Sequence, residues 1–222
     1  MNEYMEAICK NLLFQNMSRS EVESALFHLK PKVKRHEKGS YIVMMGESIK
    51  EIHLLLEGCV QIILEDAHGT RSIMSQYLPG DSFMEMLTAT NTKTIPASAL
   101  AVKDSVVASV YYENILKMSV HSEKIWAKIL NNLYTLTANK NIILYSHLGH
   151  VSRPNIRGKI ISYLQEQKDK AGKNEFLIPM SKGDMADYLF INRSAMTREL
   201  AAMKKEKLIN FEGRKFTLTA KD

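Results

Sequence analysis

Cysteine, proline and tryptophan are scarce in this 222-residue chain, which holds two, five and one of them. The two cysteines, Cys9 and Cys59, stand alone, with no CxxC pair and no histidine at ligand spacing. That spacing argues against a zinc or iron–sulfur centre built within one chain and leaves two reduced thiols as the expectation. No iron–sulfur cluster and no other metal is expected. No uninterrupted run of about 18 apolar residues occurs, so no transmembrane helix and no membrane partner are expected. The opening stretch MNEYMEAICKNLLFQNMSRSEVESAL places Glu3 and Glu6 early and lacks the order of charge, apolar block and small-residue cleavage site of a signal peptide. A cytoplasmic location is therefore expected. His53 and His68 each stand alone on strand-like segments, where a cupin-type metal enzyme would need clustered ligands. The chain is not expected to be an enzyme.

What the chain does have is an apolar fraction of 45%, enough to bury a core, and a net charge of +6 that is unevenly spread. Residues 1–150 carry 15 basic and 15 acidic side chains, whereas residues 151–222 carry 15 basic and nine acidic ones. All the excess positive charge lies in the last third. That pattern suggests a polyanion partner for a C-terminal domain, against the plainer alternative of chance surface charge.

The periodicity changes twice along the chain. Residues 1 to about 30 read as helical, with SRSE at Ser18–Glu21 as a capping box ahead of Val22, Leu26 and Leu29. From Lys32 to Tyr112 the segments are short, β-rich and broken by Gly39, Gly46, Gly58, Gly69 and Gly80, as in an antiparallel barrel or jelly roll; Gly69 suits a hairpin. From about Glu113 to His150 the chain reads as helical. Ile125, Ile129, Leu133 and Leu136 step at three and four residues, and Trp126, Leu130, Tyr134 and Leu144 make a second apolar face. A helix approaching 30 residues with two apolar faces needs two things to pack on. One is the β domain; the other is the same helix of a second subunit, with Ile125, Ile129, Leu133 and Leu136 as the seam of a homodimer. Burial within one large domain is the alternative. His147 and His150, at i and i+3, could bind haem or a metal, or be interfacial or solvated. HVSRPNIRGK, with Pro154, Arg153, Arg157 and Lys159, marks a boundary.

The last segment carries the chemistry. In MSKGDMADYLFINRSAMTREL, Ser181 precedes Asp184 by three residues, an N-cap with an acid in the first turn. Met185, Ala186 and Leu189 are core candidates. After a short connection through Phe190 and Ile191, Asn192 caps a second helix, Arg193–Lys205, with Ala195, Met196, Leu200 and Met203 on its apolar side. Two capped helices joined by so short a link are a helix-turn-helix, and KLINFEGRKFTLT after them reads as a two-stranded wing. Arg193 and Ser194 at the start of the second helix, and Thr197 and Arg198 one turn on, are the candidates for reading base edges of double-stranded DNA. Ser181, Lys182, Asn192, Lys204, Arg214 and Lys215 are the candidates for its backbone. Surface ion pairing, for example Arg198 with Asp184, is the plain alternative for either arginine alone.

These stretches resemble the bacterial cyclic-AMP receptor/fumarate-nitrate regulator (CRP/FNR) family over nearly the whole chain. EGCVQIILEDAHGTRSIMSQYLPGDSFMEM is similar to that family's β-roll, and MSKGDMADYLFINRSAMTRELAAMKKEKLI to its DNA-binding segment. The resemblance implies an α+β fold: a cyclic-nucleotide-binding-like β-roll (jelly roll) with N-terminal helices over 1–112, a long dimerisation helix over 113–150 and a winged helix-turn-helix over 151–222. It implies a homodimeric transcription regulator that binds two-fold-related half-sites, responds to a small molecule, and has RNA polymerase as a further partner. Arg193, Ser194 and Arg198 match base-reading positions and Ser181 a phosphate contact; Ser194 replaces the Glu of many members, so a different half-site is expected. The effector pocket would be formed by Gly80, Phe83, Met84, Glu85, Met86, Pro96 and Ala97. Glu85 matches the ribose-holding Glu, Met84 stands where Gly is usual, and Pro96-Ala97 stands near where an Arg-Ser pair grips the cyclic phosphate. A phosphodiester needs a cation and donors, which Pro96 does not offer, and Lys93 is close but not aligned. An effector other than cyclic AMP is expected. The four-cysteine cluster of the family's oxygen-sensing branch is absent. A constitutive binder whose β-roll is only a protein-interaction scaffold remains an open alternative.

Overall fold

The computed structural model describes residues 2–65, 71–88, 90, 94–120 and 122–219. Gly69 and His68, read as a hairpin glycine and a lone histidine, lie outside these residues, as does Lys93. The N-terminal helices are α1 (Met5–Lys10) and α2 (Arg19–Leu29), with a 3-10 turn, Leu12–Phe14, between them. The capping box at α2 forms as the sequence predicts: Glu21 N–H donates to Ser18 Oγ at 3.2 Å, and Ser18 N–H donates to Glu21 Oε2 at 2.8 Å.

Among the described residues eight strands follow: β1 (Lys32–His36), β2 (Tyr41–Val43), β3 (Glu51–Glu57), β4 (Val60–Glu65), β5 (Arg71–Tyr77), β6 (Ser82–Phe83), β7 (Ser98–Ala101) and β8 (Ser105–Tyr111). They form two four-stranded sheets, in the orders β1-β8-β3-β6 and β2-β7-β4-β5. A short helix, α3 (Glu85–Thr88), follows β6. In β3, Ile52, Leu54 and Leu56 face one core and Leu55 the other. In β8, Val106, Ala108 and Val110 likewise oppose Val107. Strands buried on both faces lose polar alternation, which is why IHLLL and VVASV read as near-continuous apolar runs. Gly58 links β3 to β4 at φ +92°, and a Cβ there would collide with Ser105 Oγ and Asp104 O; only glycine fits.

The helical stretch expected from Glu113 is interrupted. α4 (Tyr112–Lys117) and a 3-10 turn, Met118–Val120, precede the long helix α5 (Glu123–Val151) of 29 residues. α4 and α5 complete the core built on α1, α2, β3 and β8, with Ile8, Phe14, Leu29, Ile115 and Ile129 all at most 1% exposed. This corrects the expected dimer seam. Ile129 is fully buried in the chain's own core, Ile125 and Leu133 pack against it, and Leu136 is 2% exposed. A side chain already withdrawn from water inside its own chain has little apolar surface left to offer a partner. The apolar residues α5 leaves exposed are Tyr134, Ile142, Ile143, Leu144, Tyr145 and Leu148.

The C-terminal elements are α6 (Ile156–Ala171), β9 (Glu175–Leu177), α7 (Lys182–Tyr188), α8 (Arg193–Lys205), β10 (Ile209–Glu212) and β11 (Lys215–Leu218), the strands ordered β10-β11-β9. The chain folds as two units, one up to Asn141 and one from Ile142 onward, with Arg71–Ile73 grouped with the second. No helix among the described residues is long and apolar enough to cross a membrane.

His147 and His150 are neither solvated nor placed for a metal. They are 3% and 4% exposed. His147 stacks on Tyr188 with centroids 3.9 Å apart, and its Nε2 donates to the Tyr188 carbonyl at 2.7 Å. Burial holds its pKa below the usual histidine value. Both His150 nitrogens are engaged, Nδ1 with Ser162 Oγ at 2.8 Å and Nε2 with Glu166 Oε2 at 2.7 Å. Among the described residues, no three His, Cys, Asp or Glu side chains group as a metal site.

Candidate nucleic-acid interface

α7 and α8 are held in register by caps and by a turn that demands a left-handed residue. Ser181 Oγ accepts from Asp184 N–H at 3.0 Å and donates to its carboxylate at 2.9 Å. Asn192 Oδ1 accepts from the N–H groups of Ser194 and Ala195 at 3.0 and 3.2 Å. Between the helices Phe190 adopts φ +53°, and Ile191 N–H closes back on the Ala186 carbonyl at 2.9 Å. Met185, Ala186, Leu189, Met196, Leu200 and Met203 are buried at 0–2% exposure, the apolar seam that fixes how the two helices pack.

The seam leaves Arg193, Ser194, Thr197 and Arg198 exposed on α8. Their chemistry is not equivalent. Arg193 is paired with Asp187, Nε to Oδ1 at 3.1 Å and Nη2 to Oδ2 at 2.5 Å, with 66% of its side chain exposed. That carboxylate raises its pKa above the usual arginine value. Ser194 Oγ donates to Asn192 Oδ1 at 2.6 Å and Thr197 Oγ1 donates to the Arg193 carbonyl at 2.9 Å. Both hydroxyls have spent their proton within the helix and present acceptor lone pairs, which suit the amino donors of cytosine or adenine.

The backbone candidates divide in the same way. Lys182 and Lys204 lie 4.6 and 5.0 Å over the Phe211 ring, and Lys204 Nζ also donates to the Phe211 carbonyl, so two cations flank one aromatic of the wing. Lys215 pairs with Glu175 at 2.8 Å, both more than half exposed. Arg214 is exposed beside Gly213, the φ +56° residue of the wing turn. Ser181 has its hydroxyl proton and one lone pair taken by Asp184, so its side chain has no donor left to offer. Arg157, read only as a basic residue at a boundary, is structural: it bonds Glu199 at 2.6 Å and grips Glu206 with two bonds at 2.7 and 2.8 Å, fastening α6 to α8. Nothing in the local sequence signals partners so distant.

The residues expected to form an effector pocket sit in the N-terminal unit. Gly80 takes φ +96° at the turn before β6. Phe83 is fully buried, stacked on His53 with centroids 5.1 Å apart and tilted against Tyr77 at 5.7 Å. His53 accompanies it, its Nδ1 2.8 Å from Ser109 Oγ, and burial pushes its pKa down to about 4. Met84 sits at φ +67°, which explains why glycine is usual there; a side chain in that region costs roughly 1–2 kcal/mol. Glu85 is 3% exposed, and Lys140 Nζ, from α5, lies 2.7 Å from its Oε1. The contact is one of charge, off the line of a hydrogen bond; Lys140 donates to the Ser82 carbonyl and sits 4.6 Å over the Tyr77 ring. Met86 and Pro96 are exposed and Ala97 half-buried. Neither the Pro96 nor the Ala97 side chain supplies a charge or a donor for a cyclic phosphate, and Pro96 has no backbone N–H.

A two-sheet β-roll joined by a long helix to a winged helix-turn-helix is the build of a DNA-binding transcription regulator with a sensory domain. Known proteins of that build match this chain: residues 33–121 match the cyclic nucleotide-binding domain and residues 158–222 the Crp-like helix-turn-helix domain. The chain belongs to the CRP/FNR family of transcription regulators. It is 20% identical to the fumarate and nitrate reduction regulatory protein of Vibrio cholerae over 82% of this chain and 72% of that protein. It is 20% identical to the regulatory protein HlyX of Actinobacillus pleuropneumoniae over 84% and 77%. Two solved structures share the fold. FixK2 from Bradyrhizobium japonicum has a TM-score of 0.65 at 21% identity, covering 86% of this chain and 93% of that one. The c-di-GMP-responsive global regulator CLP of Xanthomonas campestris has a TM-score of 0.74 at 14% identity, covering 92% and 100%.

Proposed function

We propose that the chain is a cytoplasmic homodimer whose affinity for a two-fold-symmetric operator is set by a signal in the β-roll, and that it acts with RNA polymerase. The observation that carries the DNA reading is the capped α7–α8 pair with Arg193 and Arg198 exposed at the start of α8 and a wing behind it. The dimer face proposed is the part of α5 bearing Tyr134, Ile142 and Tyr145, which at 3.6 residues per turn lies roughly opposite Ile129. Two copies joined there would offer two recognition helices to successive major grooves, about 34 Å apart. An effector that favours one arrangement of α5 over another shifts the population able to do so.

Cyclic AMP does not suit this β-roll. Glu85 already faces Lys140, and the Pro96 and Ala97 side chains offer the phosphate neither charge nor donor. The same ion pair favours a second reading, in which the β-roll needs no small molecule and serves as a protein-interaction scaffold in a constitutive regulator. Selection from random double-stranded DNA with the purified chain tests the proposal. The expected product is an inverted repeat with half-sites about one helical turn apart. Titrating that operator with and without a metabolite extract separates the two readings, since unchanged affinity throughout supports the scaffold.

A further inference from the structure

Two arginines of α8 face the same solvent in different states. Arg198 is exposed, and no ion pair holds it among the described residues. Arg193 is held along α7. Its guanidinium spans from Gly183 to Asp187, one helical turn apart: a Cβ on Gly183 would sit 3.7 Å from Arg193 Cζ and 3.8 Å from its Nε. At the other end Asp187 takes the Nε and Nη2 protons, and its own side chain is only 12% exposed. An arginine has five N–H donors, and this grip uses two. The end-on pair, Nη1–H with the second Nη2–H, stays free, and it is the pair that fits the O6 and N7 acceptors of a guanine.

We propose that Asp187 is the positioning residue for base reading by Arg193, holding the guanidinium as a rigid fork that selects guanine. The proposal rests on the DNA-binding reading above. Two physical effects give Asp187 this role. A side chain already fixed in one rotamer has less conformational freedom to lose on binding than a free one. A guanidinium whose charge is offset by a carboxylate also gains less from a phosphate, so a mobile, backbone-seeking mode is suppressed and the neutral base edge is favoured. Arg198, with no such partner, is free to take either.

The test is selection from random duplex DNA with the full chain, followed by affinities for the selected operator, its single-base variants and random DNA. Arg193→Ala identifies the operator position that Arg193 reads, and 7-deazaguanine there reports the N7 contact. Asp187→Asn is expected to lower discrimination for guanine at that position by roughly tenfold or more. Preferences elsewhere in the half-site should be kept, and affinity for random DNA unchanged or raised. Asp187→Glu, which restores the carboxylate, is expected to recover part of the guanine preference and serves if the Asn variant does not fold. Undiminished guanine preference in both variants overturns the proposal. So does tighter, more selective operator binding by Asp187→Asn, which would mean that Asp187 withholds Arg193 from DNA. If the unaltered chain selects no sequence at all, the DNA-binding reading falls first and this one with it.

Discussion

The two units treat one charged pair each in opposite ways: Glu85 with Lys140 is buried in the N-terminal unit, and Asp187 with Arg193 is displayed on the C-terminal one. Glu85 is 1% exposed at the side chain and is met by a lysine on α5, far along the chain. Arg193 is 66% exposed, and its carboxylate partner is six residues away. A buried carboxylate must be compensated in place, because the interior offers no water to do it. An exposed arginine needs no compensation, so a partner beside it serves geometry more than charge. The contrast separates a site built from tertiary contacts from one built from helix ends.

The largest test of that contrast is Lys140→Met. It leaves Glu85 buried without its cation and is expected to cost about 3–5 kcal/mol in denaturant unfolding. The double variant with Glu85→Gln should recover much of it, and a neutral single variant would show that the pair is not compensating charge. Next in size is Ile129→Ala, expected to cost about 2–5 kcal/mol by opening a cavity in the N-terminal core. That loss should not depend on protein concentration, whereas Tyr145→Glu on the exposed face should lower the mass seen in sedimentation and spare the core; the reverse pattern would restore Ile129 to a dimer seam. Arg198→Ala should weaken operator binding by about 1–3 kcal/mol with a smaller effect on random DNA, and equal losses on both would make it a phosphate contact. Smallest is Asn192→Ala, which removes the cap of α8 and should lower the stability of the C-terminal unit by about 1 kcal/mol, read from its thermal midpoint.

The caps at Ser18, Ser181 and Asn192 were legible because a cap is a bond between residues two or three apart, written in the order of residue types. The buried seam of α7 and α8 was legible for the same reason, since helical spacing decides which of Met185, Leu189, Met196 and Leu200 share a face. The long helix was legible as a helix but not in what it faces. Ile125, Ile129, Leu133 and Leu136 make one stripe, and Tyr134, Ile142 and Tyr145 another; both are apolar, and periodicity does not say which meets the chain's own core. The histidines failed differently. His147 and His150 are buried by Tyr188, Ser162 and Glu166, none of which is their neighbour in sequence.

The sequence by itself determined the division of charge between the two parts of the chain, the order of β-rich and helical segments, and the arginines at the head of α8. Each of these depends on composition, on a period, or on residues within a turn of one another. Only the tertiary structure decided that Lys140 answers Glu85, that Arg157 fastens α6 to α8 through Glu199 and Glu206, and that Asp187 holds Arg193 while Arg198 goes free. In every such case a long, flexible side chain can reach several partners, and folding chooses among them.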